Sequence, residues 1–276
     1  MKNYLKILHN HEHPIRFLAA RLLMATGLCR WFIIPQAGYR LRFHPANLSS
    51  QVWINPHGRD DSLKFFRDYL KPGDRVIDVG ANIGDTVLTS SLAVGASGSV
   101  VGIEAHPRTF GFLEDNLRLN RVANVTAINS AVGATSGTLR FSDDRRDDMN
   151  RVGGGNLEVD VEKLDVLISD SKPVALLKVD VEGYEKFVFQ GGAQVLERTE
   201  CVFFEVSSLH FARFDYTTRD LLELLLPAGF RIFRISGASA LVRISTDYES
   251  SDYENLIALR DEKEFVRRTG WRAGGA

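Results

Sequence analysis

From residue 75 onward, short runs of aliphatic and β-branched residues alternate with stretches whose apolar residues recur at helical spacing. The runs cover 75–79, 99–104, 124–131, 174–180, 201–206, 231–235 and 255–260, and the helical stretches cover 85–94, 107–120, 184–197 and 218–228. This alternation predicts repeated βαβ units around a parallel sheet. Pro107 suits a first helical turn, where its missing N–H has no partner to lose, and Pro227-Ala228-Gly229 reads as a helix stop. Residues 236–254 show no strong helical period, so the last two runs are expected to pair as an antiparallel hairpin. The pattern predicts an α/β fold over 63–266: a doubly wound, mostly parallel seven-stranded sheet with an antiparallel last strand.

Three segments fall outside that scheme. Residues 1–62 form an N-terminal appendage with an expected strand pair at 39–43 and 52–54. Residues 142–156 are a charged loop ending in Gly153-Gly154-Gly155, read as a solvated surface with a substrate lid as the alternative, and 267–276 reads as a frayed tail. Within the appendage, residues 15–34 carry leucines and alanines at helical spacing, interrupted by Arg16, Arg21 and Arg30. Those charges exclude a bilayer span, so the stretch is expected to pack on the larger domain as an amphipathic helix, with peripheral membrane contact as the alternative.

Composition narrows the partners. The chain has 276 residues, 44% of them hydrophobic, enough for a large core, and a net charge of -1 that provides no basic field for nucleic acid. Cys29 and Cys201 lack metal or redox spacing and are read as buried small hydrophobes of a cytoplasmic protein.

The chemistry concentrates in Val76-Ile77-Asp78-Val79-Gly80-Ala81-Asn82-Ile83-Gly84-Asp85-Thr86, an apolar strand ending in an acid and two glycines before a helix. Gly80 and Gly84 permit close backbone approach, and the helix start offers N–H donors. A second acid, Glu104, ends the next strand, where a carboxylate accepts from both ribose hydroxyls of an NAD or adenosylmethionine adenosine. The dinucleotide fingerprint G-x-G-x-x-G has its second glycine where Asn82 stands, which counts against an NAD-linked oxidoreductase.

These words, with Lys71-Pro72-Gly73-Asp74, Glu104-Ala105-His106-Pro107, Asn116-Leu117-Arg118-Leu119-Asn120, Asn129-Ser130-Ala131-Val132-Gly133, Leu164-Asp165, Lys178-Val179-Asp180-Val181-Glu182-Gly183-Tyr184-Glu185 and Phe204-Glu205, resemble the FkbM-type methyltransferases. The resemblance covers about 65–205 and touches 41–55. It implies a class I, Rossmann-like S-adenosylmethionine-dependent methyltransferase that methylates a hydroxyl on a sugar, glycolipid or polyketide-like small molecule. By position it implies Asp78, Gly80, Asn82 and Gly84 at the methionine end, Glu104 at the ribose, and Ser130 with Ala131 at the adenine edge. His106 is read as an exposed loop histidine.

A second constellation follows from period-two alternation, which sends the side chains of Lys178, Asp180 and Glu182 to one side at the carboxyl end of a strand. Methyl transfer needs an oxygen aligned with the methyl carbon and a group to take its proton. Asp180 or Glu182 is the candidate base, and His210, in the loop after Glu205, a further one. Asp180, Glu182 and Glu205 holding a divalent metal is the less favoured alternative, because no histidine or asparagine completes an obvious shell.

Overall fold

The computed structural model describes residues 12–141, 155–250 and 253–274. The elements run α1 (Pro14–Thr26), β1 (Ile33–Pro35), β2 (Arg40–Arg42), α2 (Asn47–Ile54), α3 (Asp60–Tyr69), β3 (Arg75–Val79), α4 (Asp85–Val94), β4 (Ser99–Glu104), α5 (Pro107–Asn120) and β5 (Val125–Asn129). They continue with β6 (Ala131–Val132), β7 (Gly137–Phe141), β8 (Leu157–Glu162), α6 (Leu164–Leu167), β9 (Val174–Val179), α7 (Glu185–Gly191), α8 (Ala193–Glu197) and β10 (Thr199–Val206). The last are α9 (Ser208–Phe211), α10 (Thr218–Leu225), β11 (Arg231–Ile235), β12 (Ala240–Arg243), β13 (Glu254–Leu259), α11 (Glu262–Thr269) and β14 (Arg272–Gly274).

All seven expected strands lie in one sheet, in the order β11-β13-β10-β9-β3-β4-β5, which β12 and β14 extend to nine strands beyond β11. Strands β10, β9, β3, β4 and β5 are parallel to one another, while β13 runs antiparallel between β10 and β11. Alternate side chains serve two cores. Val76, Val100, Leu176 and Phe203 pack with Phe65, Phe66 and Tyr69 of α3 on one face. Ile77, Ile103, Leu177 and Phe204 pack with Val188 of α7 and Leu221 of α10 on the other. Both faces are covered, which is why the central strands read as unbroken apolar runs.

Two expectations are corrected. Residues 52–54 belong to α2, not to a strand: the apolar side chains of Val52 and Ile54 are buried on a helix, and β2 pairs instead with β1. The tail is not frayed over its described residues: Asp261 caps α11, Phe265 and Trp271 are buried against Phe65, and β14 joins β12 in parallel. Trp271 Nε1 donates to Asp68 and Arg268 pairs with Asp74 at 2.6 Å, tying this end to the start of the sheet. The charged loop at 142–156 falls outside the described residues except for its last two positions.

The word Asn116-Leu117-Arg118-Leu119-Asn120 explains how the appendage is held. Asn116 and Asn120 lie one turn apart on α5, and their side chains accept from the backbone N–H groups of Arg42 and Arg40 at 2.7 and 2.8 Å. Helix α5 thus supplies side-chain partners to the edge of β2 in place of a further strand.

Gly80 is fixed by the packing of β3 against β9. Its φ is +83°, and a Cβ built there would sit 1.8 Å from the Asp180 carbonyl oxygen. Gly80→Ala is therefore expected to cost roughly 3–5 kcal/mol, combining left-handed strain with a backbone clash. Gly270→Ala, where φ is +68° and ψ 7° but no atom lies within 4 Å, is expected to cost only about 1–2 kcal/mol. Urea denaturation of the two variants compares them; equal losses would discard the contact with Asp180.

Candidate active site

The chain leaves β3 toward β4 and β5, then returns to β9 on the other side of β3, so the direction of winding reverses between β3 and β9. In such sheets the crevice at the carboxyl ends of these strands is the natural ligand site. A cavity of about 360 Å³ opens there, lined by Gly80, Asn82, Glu104, Ser130, Ala131, Lys178, Asp180, Glu182 and Glu205. That volume lies within the range of small-molecule pockets.

Asp78 and Gly84 are not on its wall. Asp78 is buried, accepts from Lys178 Nζ at 2.8 Å, and takes a further hydrogen bond from the Thr86 hydroxyl. Lys178 also donates to the Gly80 carbonyl at 3.0 Å and lies 3.6 Å from Asp180. Burial disfavours the Lys178 ammonium, but Asp78 and Asp180 outweigh it and hold the proton on the lysine. Lys178 therefore fastens the glycine turn to β9. Gly84 makes room for Leu113 of α5, whose Cδ1 would lie 2.7 Å from an added Cβ.

Glu104 faces the cavity between two backbone donors, Asn82 N–H and His106 N–H, each at 2.9 Å. Burial pushes its carboxyl up to about 7, against those two hydrogen bonds. The left-handed backbone of Asn82, with φ 48°, aims that N–H at the carboxylate. His106 is buried rather than exposed: its Nδ1 accepts from Arg108 N–H at 3.2 Å and caps α5 from the cavity wall. Ser130 bonds the backbone carbonyls of Ala131 and Asp160, at 2.8 and 3.3 Å.

The second constellation is only partly as the alternation predicts. Strand β9 ends at Val179, and Glu182 sits in a left-handed turn with φ 55°, which swings it toward β10. There Glu182 and Glu205 lie 3.5 and 3.9 Å from His210 Nδ1, while His210 Nε2 meets the Tyr253 hydroxyl at 3.1 Å. His210 is buried and off the cavity wall. Burial, then the charges of Asp180, Glu182 and Glu185, pushes the Glu205 carboxyl up to about 9. Glu185 ties down the turn by accepting from Val181 N–H at 3.0 Å and from the Tyr216 hydroxyl. Ligand atoms of Glu182, Glu205 and His210 all lie within 4.8 Å of one another, so these three are the residues that could hold a cation among those described. Sequence reasoning left the histidine out of that set because the turn at Glu182 brings it in.

A model of the FkbM methyltransferase domain matches residues 78–232, more than half of the chain. The chain belongs to the FkbM methyltransferase family. This FkbM protein is thus an S-adenosylmethionine-dependent methyltransferase, with a class I, Rossmann-like sheet whose antiparallel last strand enters between the fifth and sixth. The hexuronic acid methyltransferase AglP of Haloferax volcanii is 25% identical over 194 residues, 67% of this chain and 78% of that protein. A protein-L-isoaspartate O-methyltransferase of Caenorhabditis elegans is 33% identical over 63 residues, 23% of this chain, and the match spans only 28% of the worm protein. Among solved structures, an S-adenosylmethionine-dependent O-methyltransferase of Thermotoga maritima has TM-score 0.40 and 18% identity over 74% of this chain and 66% of its own. Fibrillarin of Aeropyrum pernix, solved with S-adenosyl-L-methionine bound, has TM-score 0.41 and 16% identity over 69% and 68%.

The FkbM domain match begins at Asp78, yet part of the cavity wall comes from before it. Asn47, Leu48 and Gln51 of α2, and Arg59, line the cavity. Arg59 Nε pairs with the buried Asp85 carboxylate at 2.8 Å, and the Tyr39 hydroxyl bonds the same carboxylate. Asp85 opens α4, and its acid so close after the glycines was the one sequence signal for this clamp.

The Asp78–Lys178 pair yields a stability prediction. Lys178→Met leaves a buried carboxylate without its cation and is expected to cost about 3–5 kcal/mol, while Asp78→Asn with Lys178→Met recovers a large part. Guanidinium denaturation of the single and double variants measures the coupling; a double variant as unstable as the sum of both singles would deny it.

Proposed function

We propose that this methyltransferase acts on a hydroxyl oxygen of a small hydroxylated acceptor, a sugar, glycolipid or polyketide-like compound. The observation that carries the reading is the placement of Asp180, Glu182 and Glu205 on the wall of the same cavity as Glu104. A hydroxyl brought in beside them meets Asp180 and Glu182 as acceptors for its proton. The similarity to a hexuronic acid methyltransferase supports a sugar.

Gly80, Asn82 and Glu104 fit an adenosylmethionine: Gly80 brings no side chain to obstruct it, and the Glu104 carboxylate keeps lone pairs for two ribose hydroxyls beyond those its backbone donors use. When bound, that cofactor supplies a methyl group on a sulfonium. Asp180, half exposed and steadied by Lys178 3.6 Å away, is the base that receives the acceptor proton. Glu205, raised to about 9, keeps its own proton at neutral pH and donates a hydrogen bond. His210, out of the cavity, positions Glu182 and Glu205 instead of serving as the base. This reading needs no cation at Glu182, Glu205 and His210.

Asp180→Asn is expected to retain the fold and cofactor affinity while lowering kcat by about 10²–10⁴-fold, the usual contribution of a base. Incubating cell extracts with the enzyme and a deuterated methyl donor, with mass spectrometry of the products, identifies the acceptor; label only on nitrogen or carbon would overturn O-methylation. Turnover should survive exhaustive chelation, whereas loss restored by Mg²⁺ or Mn²⁺ would assign the glutamate–histidine cluster to a cation.

Glu104→Ala should weaken cofactor binding by roughly 1–3 kcal/mol. Because the Glu104 carboxyl sits at about 7, adenosylmethionine affinity should fall as pH drops below about 7 and the acceptor oxygen protonates. Its effect on folding has the opposite sign, favouring stability below its ordinary range and losing it as pH rises through 7. Calorimetric titration from pH 6 to 8 with wild type and Glu104→Gln separates the two; a flat affinity in the wild type would remove Glu104 from the ribose.

A further inference from the structure

Helix α1 has two apolar faces. Successive helical residues turn by about 100°, so Phe17, Ala20 and Met24 fall on one side, and Ile15, Leu18 and Leu22 on the opposite side. The first set packs on the appendage core with Leu41 and Phe43. The second faces outward, with Ile15 82% and Leu22 66% exposed. The following turn adds Leu28, Phe32 and Trp31, the last 78% exposed. Of the eleven large hydrophobic side chains exposed among the described residues, six fall between positions 15 and 32. Single exposed apolar residues are ordinary, but such a concentration marks a surface made for contact.

The charges around it choose the partner. From position 14 to position 42 the chain has five arginines (Arg16, Arg21, Arg30, Arg40 and Arg42) and no lysine, aspartate or glutamate. The rest of the sequence holds 29 basic against 35 acidic residues. On α1, Arg16 and Arg21 flank the outward apolar strip on either side, and Arg30 stands next to Trp31. Arg42 is paired with Asp115 at 2.8 Å, so Arg16, Arg21 and Arg30 carry the charge beside the apolar face, and pairing it with a second copy would bring these arginines together. An anionic lipid surface instead offers phosphates to the arginines and an acyl boundary to Ile15, Leu18, Leu22 and Trp31.

We propose that the outward face of α1 and the turn through Phe32 dock this enzyme on an anionic bilayer. The surface is coupled to the catalytic cavity through the appendage: α1 packs on α2, Arg16 donates to the Ile54 carbonyl at 3.3 Å, and α2 lines the cavity with Asn47, Leu48 and Gln51. Docking is independent of the identity of the acceptor and would stand if O-methylation failed. No helix among the described residues is long and apolar enough to cross a membrane, so attachment is at the surface.

The test is flotation of the full chain with vesicles of phosphatidylcholine alone and with added phosphatidylglycerol, at low and high salt. Binding is expected only to the anionic vesicles and is expected to weaken with salt. The exposed triple variant Ile15→Ser, Leu22→Ser, Trp31→Ser should lose at least about tenfold in partitioning. Arg21→Gln and Arg30→Gln should each lose about fivefold. Circular dichroism melts confirm that each variant is folded, and the arginine variants decide the matter if the triple variant is not. No flotation with anionic vesicles, equal flotation of the folded triple variant, or salt-insensitive binding unaffected by both arginine changes would overturn the proposal. So would self-association in lipid-free buffer that the triple variant abolishes, with no vesicle binding, since it would make the face a protein interface.

Discussion

The structure turns on a lysine inside the sheet. Lys178 of β9 sits opposite Asp78 of β3 in register, and its ammonium is shared between that carboxylate, the Gly80 carbonyl and, more distantly, Asp180. Removing such a charge from water is costly, and only this set of acceptors offsets the loss. The geometry it enforces is correspondingly narrow. With Asp78 and Gly80 pinned, the glycine turn lies so close to Asp180 that any side chain at position 80 would overlap its carbonyl. The residues beyond the ion pair, Asn82 after β3 and Asp180 after β9, both line the one cavity.

Electrostatics then differentiates the carboxylates around that cavity. Glu104 is raised to about 7 by burial against two stabilising N–H donors, whereas Glu205 is raised further, to about 9, because neighbouring acids add to the burial. Asp180 stands beside a cation and is half exposed. Their surroundings therefore set similar side chains apart, and the proposed roles of acceptor, proton holder and base rest on that difference. The turn at Glu182, held by Glu185, brings Glu182 to 3.5 Å from His210, beside Glu205 of β10.

The appendage supplies part of the cavity wall. Asn116 and Asn120 hold β2, and Asp85 gathers Tyr39 and Arg59, so that α2 closes one side of the cavity. The same segment supplies the arginine-rimmed apolar face. One packed unit therefore links the cavity wall to the proposed docking face.

The sequence by itself determined the elements whose cause is local. The bounds of α4 and α5, the seven strands, the antiparallel last pair and the family follow from apolar periodicity, from Pro107, and from the glycine turn with its two acids. Tertiary structure decided what depends on partners far along the chain. Asp78 reads in the sequence as a pocket residue, whereas in the fold it is buried against Lys178, a hundred positions away. His106 looked exposed because the cap it makes and the wall it joins are invisible in a linear reading. Residues 52–54 and the tail were misread since short segments carry little periodic signal, and their structure is set by what they bury against: the appendage core for α2, and Phe65 for Phe265 and Trp271. Local pattern fixes which face of an element is apolar, whereas only the folded chain fixes which charges meet once water is excluded.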